Sequence, residues 1–323
     1  MPIKATEEKM KSTYDKIKEL RTIIKKALSS LIVDNYVLLD VPYYTNIGDT
    51  LIWEGTREFL KTLPHKCLYT ASVETYKYRP LPKNTVILLQ GGGNFGDLWR
   101  RHQELRQTVI KSYPNNRIII LPQTVFYNNN SVFAEDAKIL NSHKDLHICA
   151  RDAKSLEYLK KALTSNLLLV PDMAFCISQK TLDHYKQKGT DKVLFLKRND
   201  QELREYDFSS YIAEKAEQLH IGDWPTMEKE FKTKVYLDKL IFHRKRLKRI
   251  PDIYADLVFR PHQVKKGVEF VSQYKKVYTT RLHVAILSVL LDKKIVFFDN
   301  SYGKNRSFYE TWLKDVEKLK FVQ

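Results

Sequence analysis

The chain has 323 residues, 43% of them hydrophobic and 12% aromatic, which supplies two ordinary cores or one large one and excludes a disordered chain. Lys and Arg number 55 against 38 Asp and Glu, a surplus of 17, so the protein's field attracts anions: nucleic acid, an acidic membrane face or phosphorylated substrates. The cysteines Cys67, Cys149 and Cys176 lie far apart without a CxxC pair, which argues against a disulfide framework or a zinc site and for a reducing compartment. No apolar run reaches bilayer length and the N-terminus is charged and amphipathic, so the expected location is the cytoplasm.

Apolar residues recur every three or four positions from Met10 through Tyr14, Ile17, Leu20, Ile24, Leu28 and Leu31, which predicts a helix with one buried face. Short β-rich runs follow at Tyr36 to Asp40, Thr85 to Gln90, Arg117 to Leu121, Leu146 to Ala150 and Leu167 to Val170. Helices fit after Gly48, Gly96, Ser131 and Asp152. Strands alternating with helices predict a parallel sheet covered on both faces. A polar stretch from Gln179 to Thr190 reads as the linker. The pattern then restarts with strands Lys192 to Leu196, Lys276 to Thr279 and Ile295 to Phe298, a helix Arg281 to Leu291, and a terminal helix near Ser307 to Phe321. The reading is therefore α/β, with two doubly wound Rossmann-like domains, 1–178 and 190–323, facing a cleft, and the last helix packing back on the first domain. The stretch Asp200 to Arg260 yields only helices, and Gln201 to Arg260 offers no motif.

Gln90 to Asp97 follows a buried strand, and Gly91, Gly93 and Gly96 satisfy GxGxxG spacing. A dinucleotide fingerprint belongs to the first βα turn and needs an acid about twenty residues on, whereas the strand after this loop ends in Leu121-Pro122-Gln123. The nicotinamide reading is rejected. What survives is a loop whose backbone N–H groups approach a ligand and whose following helix favours an anion. Tyr44 to Asp49 ends the first strand and opens a helix; a cap by Asn46 or Asp49 and a ligand site are equally consistent with those residues.

Arg281 and His283 fall in the first turn of an apolar helix, where cations oppose the helix dipole at a cost of a few tenths to about one kcal/mol unless an anion lies there. Arg grips a carboxylate or phosphate bidentately, and His exchanges protons near neutral pH. Arg198 and Arg151 also leave strands at the carboxyl edge, although a surface ion pair is the commoner fate of a single arginine.

With these residues in hand, the sequence resembles the polysaccharide pyruvyl transferase family, its exopolysaccharide members in particular. The shared motifs are Asn46-Ile47-Gly48-Asp49, Gln90 to Trp99, Leu121-Pro122-Gln123-Thr124, Arg151 with Ser155, Pro171-Asp172, Arg281-Leu282-His283 and Asp299 to Asn305. The resemblance implies a fold similar to two-Rossmann glycosyltransferases, phosphoenolpyruvate as co-substrate and no cofactor. The implied acceptor is a hexose of a surface glycan, free or lipid-diphosphate-linked. It places a donor site on Arg281, His283 and Arg198, to which Arg151 is added. The substrate-facing positions are Asn46, Gly48, Gly91, Gly92, Gly93, Asn94, Gln123, Asp172, Asn300 and Tyr302. Ketal formation needs an acid, assigned to His283, and activation of a sugar hydroxyl, assigned to Asp49 or Asp97. No metal enters this scheme, and the sequence has neither DxD nor HExxH.

Two rivals stand beside this reading. One is a nucleotide-sugar glycosyltransferase of the same architecture. The other is a non-catalytic protein binding nucleic acid or membrane through the basic run Lys239 to Arg249. For the enzyme, which is not expected to bind nucleic acid, that run suits peripheral docking at the anionic inner membrane face, with Leu240, Ile241, Phe242 and Leu247 among its cations.

Overall fold

Val86–Leu89, Tyr36–Leu39 and Leu146–Ala150 are buried at every position, as strands covered on both faces must be, and their near-continuous apolar runs give them little choice but the middle of a parallel sheet. The computed structural model describes residues 10–198, 203–204, 206–212, 218–227 and 250–323. In it β1 (Tyr36–Leu39), β2 (Cys67–Ala71), β3 (Val86–Leu89), β4 (Gly92–Gly96), β5 (Ile118–Phe126), β6 (Leu146–Ala150) and β7 (Asn166–Leu169) form one sheet. Its order is β2-β1-β3-β5-β6-β7, with β4 paired to the far half of β5, and every pairing is parallel. A second parallel sheet contains β8 (Val193–Leu196), β9 (Leu219–Gly222), β10 (Lys276–Thr279), β11 (Lys294–Phe298) and β12 (Leu319–Val322) in the order β12-β11-β10-β8-β9. The two-sheet α/β expectation is met.

Four local expectations are corrected. Gly92–Gly96 is a strand, because glycines at φ 151° and 135° let the chain run beside Gln123–Phe126; a Cβ on Gly96 would lie 1.7 Å from the Phe126 carbonyl oxygen. Gln179–Tyr185, inside the expected linker, is a helix capped by Ser178, whose hydroxyl accepts from the Thr181 N–H at 3.2 Å. The stretch read as helical only contains β9, an exposed-edge strand whose burial is too weak to mark it. The expected terminal helix stops early: helical spacing holds from Phe308 through Trp312 and Leu313 to Val316, after which buried Leu319 and Val322 flank exposed Lys320 as a strand on β11.

The largest apolar cluster is continuous across both sheets. It joins Leu38, Leu88 and Ile119 of the first to Leu194, Leu196 and Phe297 of the second. Helix α1 (Thr13–Ser29) seals the join with Leu20, Ile24 and Leu28. Its start is fixed on the second half, through Thr13 to Asp292 and Lys16 to Asp315, and Arg21 donates to the Phe175 and Ile177 carbonyls of the first at 2.7 and 2.6 Å. Ser307 and Trp312, beyond β11, reach back to Asp152 and the Arg151 carbonyl at 2.8 and 2.7 Å. Both halves are thus anchored in one core.

Candidate active site

In each sheet the first strand lies between the second and the third: β1 between β2 and β3, β8 between β9 and β10. Chain connections diverge to either side of such a point and leave a crevice beyond the carboxyl ends of the strands. The two crevices face one another and merge into a cleft of about 770 Å³. From the first sheet it takes Tyr44, Asn46 and Asp49 after β1 and Gly93 and Asn94 after β3; from the second it takes Arg198 after β8 and Arg281, Leu282 and His283 after β10. Among the described residues six cations line it, Arg100, Arg101, Arg151, Arg198, Arg281 and Lys304, against one lining carboxylate, Asp49; Asp136 holds Arg100 and Glu74 holds Arg101 from outside the lining.

The first wall is built by capping. The helix Ile47–Leu60 begins where the Asn46 side chain accepts the Gly48 N–H at 3.0 Å, so Asn46 is the cap, and it lines the cleft as well. Asp49 accepts from Asn46 Nδ2 at 2.8 Å and from the Tyr44 hydroxyl at 3.0 Å. Gly48 has no room for a side chain: a Cβ would sit 2.6 Å from His283 Nδ1, so this helix end and the His283 ring touch across the cleft. Of the glycine run only Gly93 faces the cleft. Gly91 packs on the Pro122 carbonyl and Gly92 is buried. Gln123, expected to face substrate, is fully buried; its Nε2 donates to the Gln90 carbonyl at 2.8 Å and to Asn94 Oδ1 at 3.1 Å. It holds the glycine segment rather than a ligand. Asp97 is not brought to the cleft, since its carboxylate accepts the N–H groups of Asn128 and Asn129 at 2.8 and 2.9 Å.

On the second wall, His283 Nε2 lies 3.4 Å from both Asp172 Oδ2 and Arg151 Nη1. Asp172 is fully buried and bonded to Arg151 at 2.8 Å. Burial alone would raise its pKa, but the hydrogen bond and charge of His283, then the charge of Arg151, hold it well below the usual carboxylate range. Asp172 therefore orients His283 and Arg151 from behind. Arg151 is held by Thr124 at 2.7 Å through Nε, and its buried Nη2 has no hydrogen-bond partner among the described residues. That atom lies 3.2 Å from where a Gly93 Cβ would be, next to Lys304 Nζ at 2.9 Å from the same point.

The cation at the helix start meets an anion from its own chain. Arg281 is the N-cap residue of Leu282–Leu290, and its Nε and Nη2 grip Asp223 beyond β9 bidentately at 2.5 Å. Its position is thus explained without a ligand, although it still lines the cleft. Arg198 is buried at the cleft, with its N–H donating to Thr280 Oγ1 at 3.0 Å. Asn300 and Tyr302 stand outside: Asn300 Oδ1 accepts the Lys304 N–H at 2.7 Å, and Tyr302 packs on Phe126 with ring centroids 4.7 Å apart. Their segment serves the site by presenting Lys304.

Sequence reasoning missed Asp223, Lys304 and a group behind the first wall. In that group Asp40 is bonded by Arg106 at 3.0 Å and by His102 Nδ1 at 2.6 Å, and His102 lines the cleft beside Tyr44 and exposed Trp99. Asp40 was legible as a strand end, but nothing in the sequence joins it to residues 62 and 66 positions on. No group of three or more His, Cys, Asp or Glu among the described residues is placed to hold a metal, and no described helix is long and apolar enough to cross a membrane.

Fold and cleft together define a two-sheet, Rossmann-like α/β protein with a cationic site between its facing switch points. The chain belongs to the polysaccharide pyruvyl transferase family, and is by that family a transferase: the family's model matches residues 46–302, from the Asn46 cap to Tyr302. It is 31% identical over 310 residues to the putative pyruvyl transferase EpsO of Bacillus subtilis, covering 93% of this chain and 94% of that one. It is 26% identical over 294 residues to pyruvyl transferase 1 of Schizosaccharomyces pombe, covering 87% and 70%. A functionally uncharacterised protein of Klebsiella pneumoniae has a similar fold, with a TM-score of 0.60 at 19% identity over 94% of this chain and 98% of that one.

Proposed function

We propose that the protein transfers the enolpyruvyl unit of phosphoenolpyruvate to a hexose of a surface glycan, closing a pyruvate ketal and releasing phosphate. The observation that carries this reading is the Arg151 Nη2 group, buried without a hydrogen-bond partner among the described residues and set beside Lys304 in the cleft that Arg198 also lines, a grouping that suits a small ligand bearing both a carboxylate and a phosphate. Arg151, through Nη2, and Lys304 bind at the Gly93 floor, with Arg198 and Arg281 at the opposite wall. His283 protonates the methylene carbon, held in place by Asp172 and by contact with Gly48. The cationic carbon that results is attacked by a sugar hydroxyl oriented by Asp49, phosphate departs, and a second hydroxyl closes the ring. Asp97 has no part in this scheme. Trp99 and Tyr44, exposed at the rim, offer apolar faces to a sugar. The acceptor is presented on a lipid diphosphate at the cytoplasmic membrane face, where Lys239 to Arg249, which lie outside the described residues, dock on anionic lipid.

A thermal shift series tests the donor. Phosphoenolpyruvate raises the melting temperature, UDP- and GDP-sugars and duplex DNA do not, and the rise disappears in Arg151→Lys, which lacks the forked guanidinium. A rise with a nucleotide sugar alone overturns the reading in favour of a glycosyltransferase.

A further inference from the structure

We propose that His102 is the general base that takes the acceptor hydroxyl's proton, and that Asp40 is the residue that positions it. The inference rests on the transfer reading above and adds a catalytic pair to it.

Asp40 directly follows β1, at the switch point of the first sheet, and its backbone is left-handed at φ 64°, a conformation that a non-glycine residue keeps where its surroundings enforce it. The enforcement is visible. The carboxylate is 3% exposed, and the fully buried Arg106 donates to Oδ2 at 3.0 Å while also bonding Asn94. With Oδ2 taken, Oδ1 is presented to His102 Nδ1 at 2.6 Å. A carboxylate at Nδ1 fixes the tautomer with its proton there, so Nε2 carries the lone pair. Nε2 is on the ring edge opposite buried Asp40. The ring itself lines the cleft, edge-on to Tyr44 with centroids 6.3 Å apart.

A tie made only for stability would not need this arrangement. Arg106 already neutralises Asp40, and the histidine adds a partly exposed ring whose second nitrogen is not needed for that neutralisation. A base, in contrast, needs an oriented ring and an unprotonated nitrogen at the cleft. His102 sits on the wall that bears Trp99, Tyr44 and Asp49 together with Arg100 and Arg101, whose guanidinium groups are already held by Asp136 and Glu74, so this wall offers hydrogen-bonding groups to a polyol. Protons balance. The first hydroxyl forms its C–O bond to the pyruvyl carbon and gives its proton to Nε2; the carbon–phosphate oxygen bond then breaks with its electron pair as that proton passes to the phosphate. The second hydroxyl's proton replaces the one that His283 gave to the methyl carbon.

The test uses the whole chain, phosphoenolpyruvate and a panel of p-nitrophenyl hexopyranosides. His102→Ala lowers kcat about 100-fold or more, keeps the thermal shift with phosphoenolpyruvate, and regains transfer with added imidazole; His102→Gln shows the same loss in a bulkier variant. Asp40→Asn, which keeps a bond to Arg106, lowers kcat less, and in nitrogen NMR His102 loses its single Nδ1–H form. Unchanged kcat with a raised acceptor KM, or no imidazole rescue, overturns the base assignment. Should the unaltered protein show neither a phosphoenolpyruvate shift nor transfer, the donor reading fails first. The pair is then judged by the NMR arm, where a mixed His102 tautomer in unaltered protein rejects it.

Discussion

Both sheets end their first and third strands at the cleft, but they place different chemistry there. Beyond β1 and β3 stand Asp40, Asp49, Tyr44, Trp99 and His102, most of them tied to neighbours by short hydrogen bonds within the first half. Beyond β8, β10 and β11 stand Arg198, Arg281, His283 and Lys304, with Asp223 gripping Arg281. One topology used twice thus gives a wall that mixes hydroxyl, carboxylate and imidazole groups with two guanidinium groups, Arg100 and Arg101, already held by Asp136 and Glu74, and a wall that presents mainly cations. Arg151 and Asp172 cross between them, because they leave β6 and β7 of the first half yet both approach His283. The chemistry is concentrated where the two walls touch.

That contrast can be broken most strongly at His283. His283→Ala should lower turnover by about 10²- to 10⁴-fold while leaving the phosphoenolpyruvate thermal shift within a degree or two of the unaltered protein, since it removes a proton donor and not an anion clamp. Loss of the shift together with turnover would place His283 in donor binding instead.

Gly48→Ala sharpens the contrast without altering either wall's charges. Alanine in a helix ordinarily gains about 0.5–1 kcal/mol over glycine, but here the added methyl meets the His283 ring at 2.6 Å. Turnover should fall about 10- to 100-fold from misplacement of the acid, with little change in melting temperature. Equal turnover would mean that the two walls part during catalysis.

The smallest effect is expected from Asp172→Asn, and it is read in stability. The folded-state pKa of Asp172 is depressed, so its contribution is fully present above the unfolded carboxylate's value near 4 and is lost as pH falls below it. The urea midpoint of the unaltered protein should therefore drop more steeply below about pH 5 than that of the variant. Parallel acid limbs would show that Asp172 gains nothing from His283 and Arg151.

The central strands were legible in the sequence because burial on both faces demands unbroken apolar runs, as in Val86–Leu89 and Leu146–Ala150. Edge strands were not: Cys67–Ala71 and Leu219–Gly222 are half-exposed, so their patterns do not stand out from loops, and Leu319–Val322 was absorbed into the helical spacing before it. The caps and strand ends were legible for a similar local reason, since Asn46 satisfies an N–H two residues away and Arg151, Arg198 and Arg281 each follow a strand.

What the sequence by itself determined, then, was the set of elements whose cause lies within a few residues: buried strands, amphipathic helices, caps, and cations at strand ends. Only the tertiary structure decided which of these cations keep a partner, which glycine faces the cleft, and which histidine meets which carboxylate. Asp223 with Arg281, Asp172 with His283 and Asp40 with His102 are separated by 58, 111 and 62 positions. Such pairs form because parallel sheets bring the carboxyl ends of distant strands side by side, and no periodicity along the chain records that meeting.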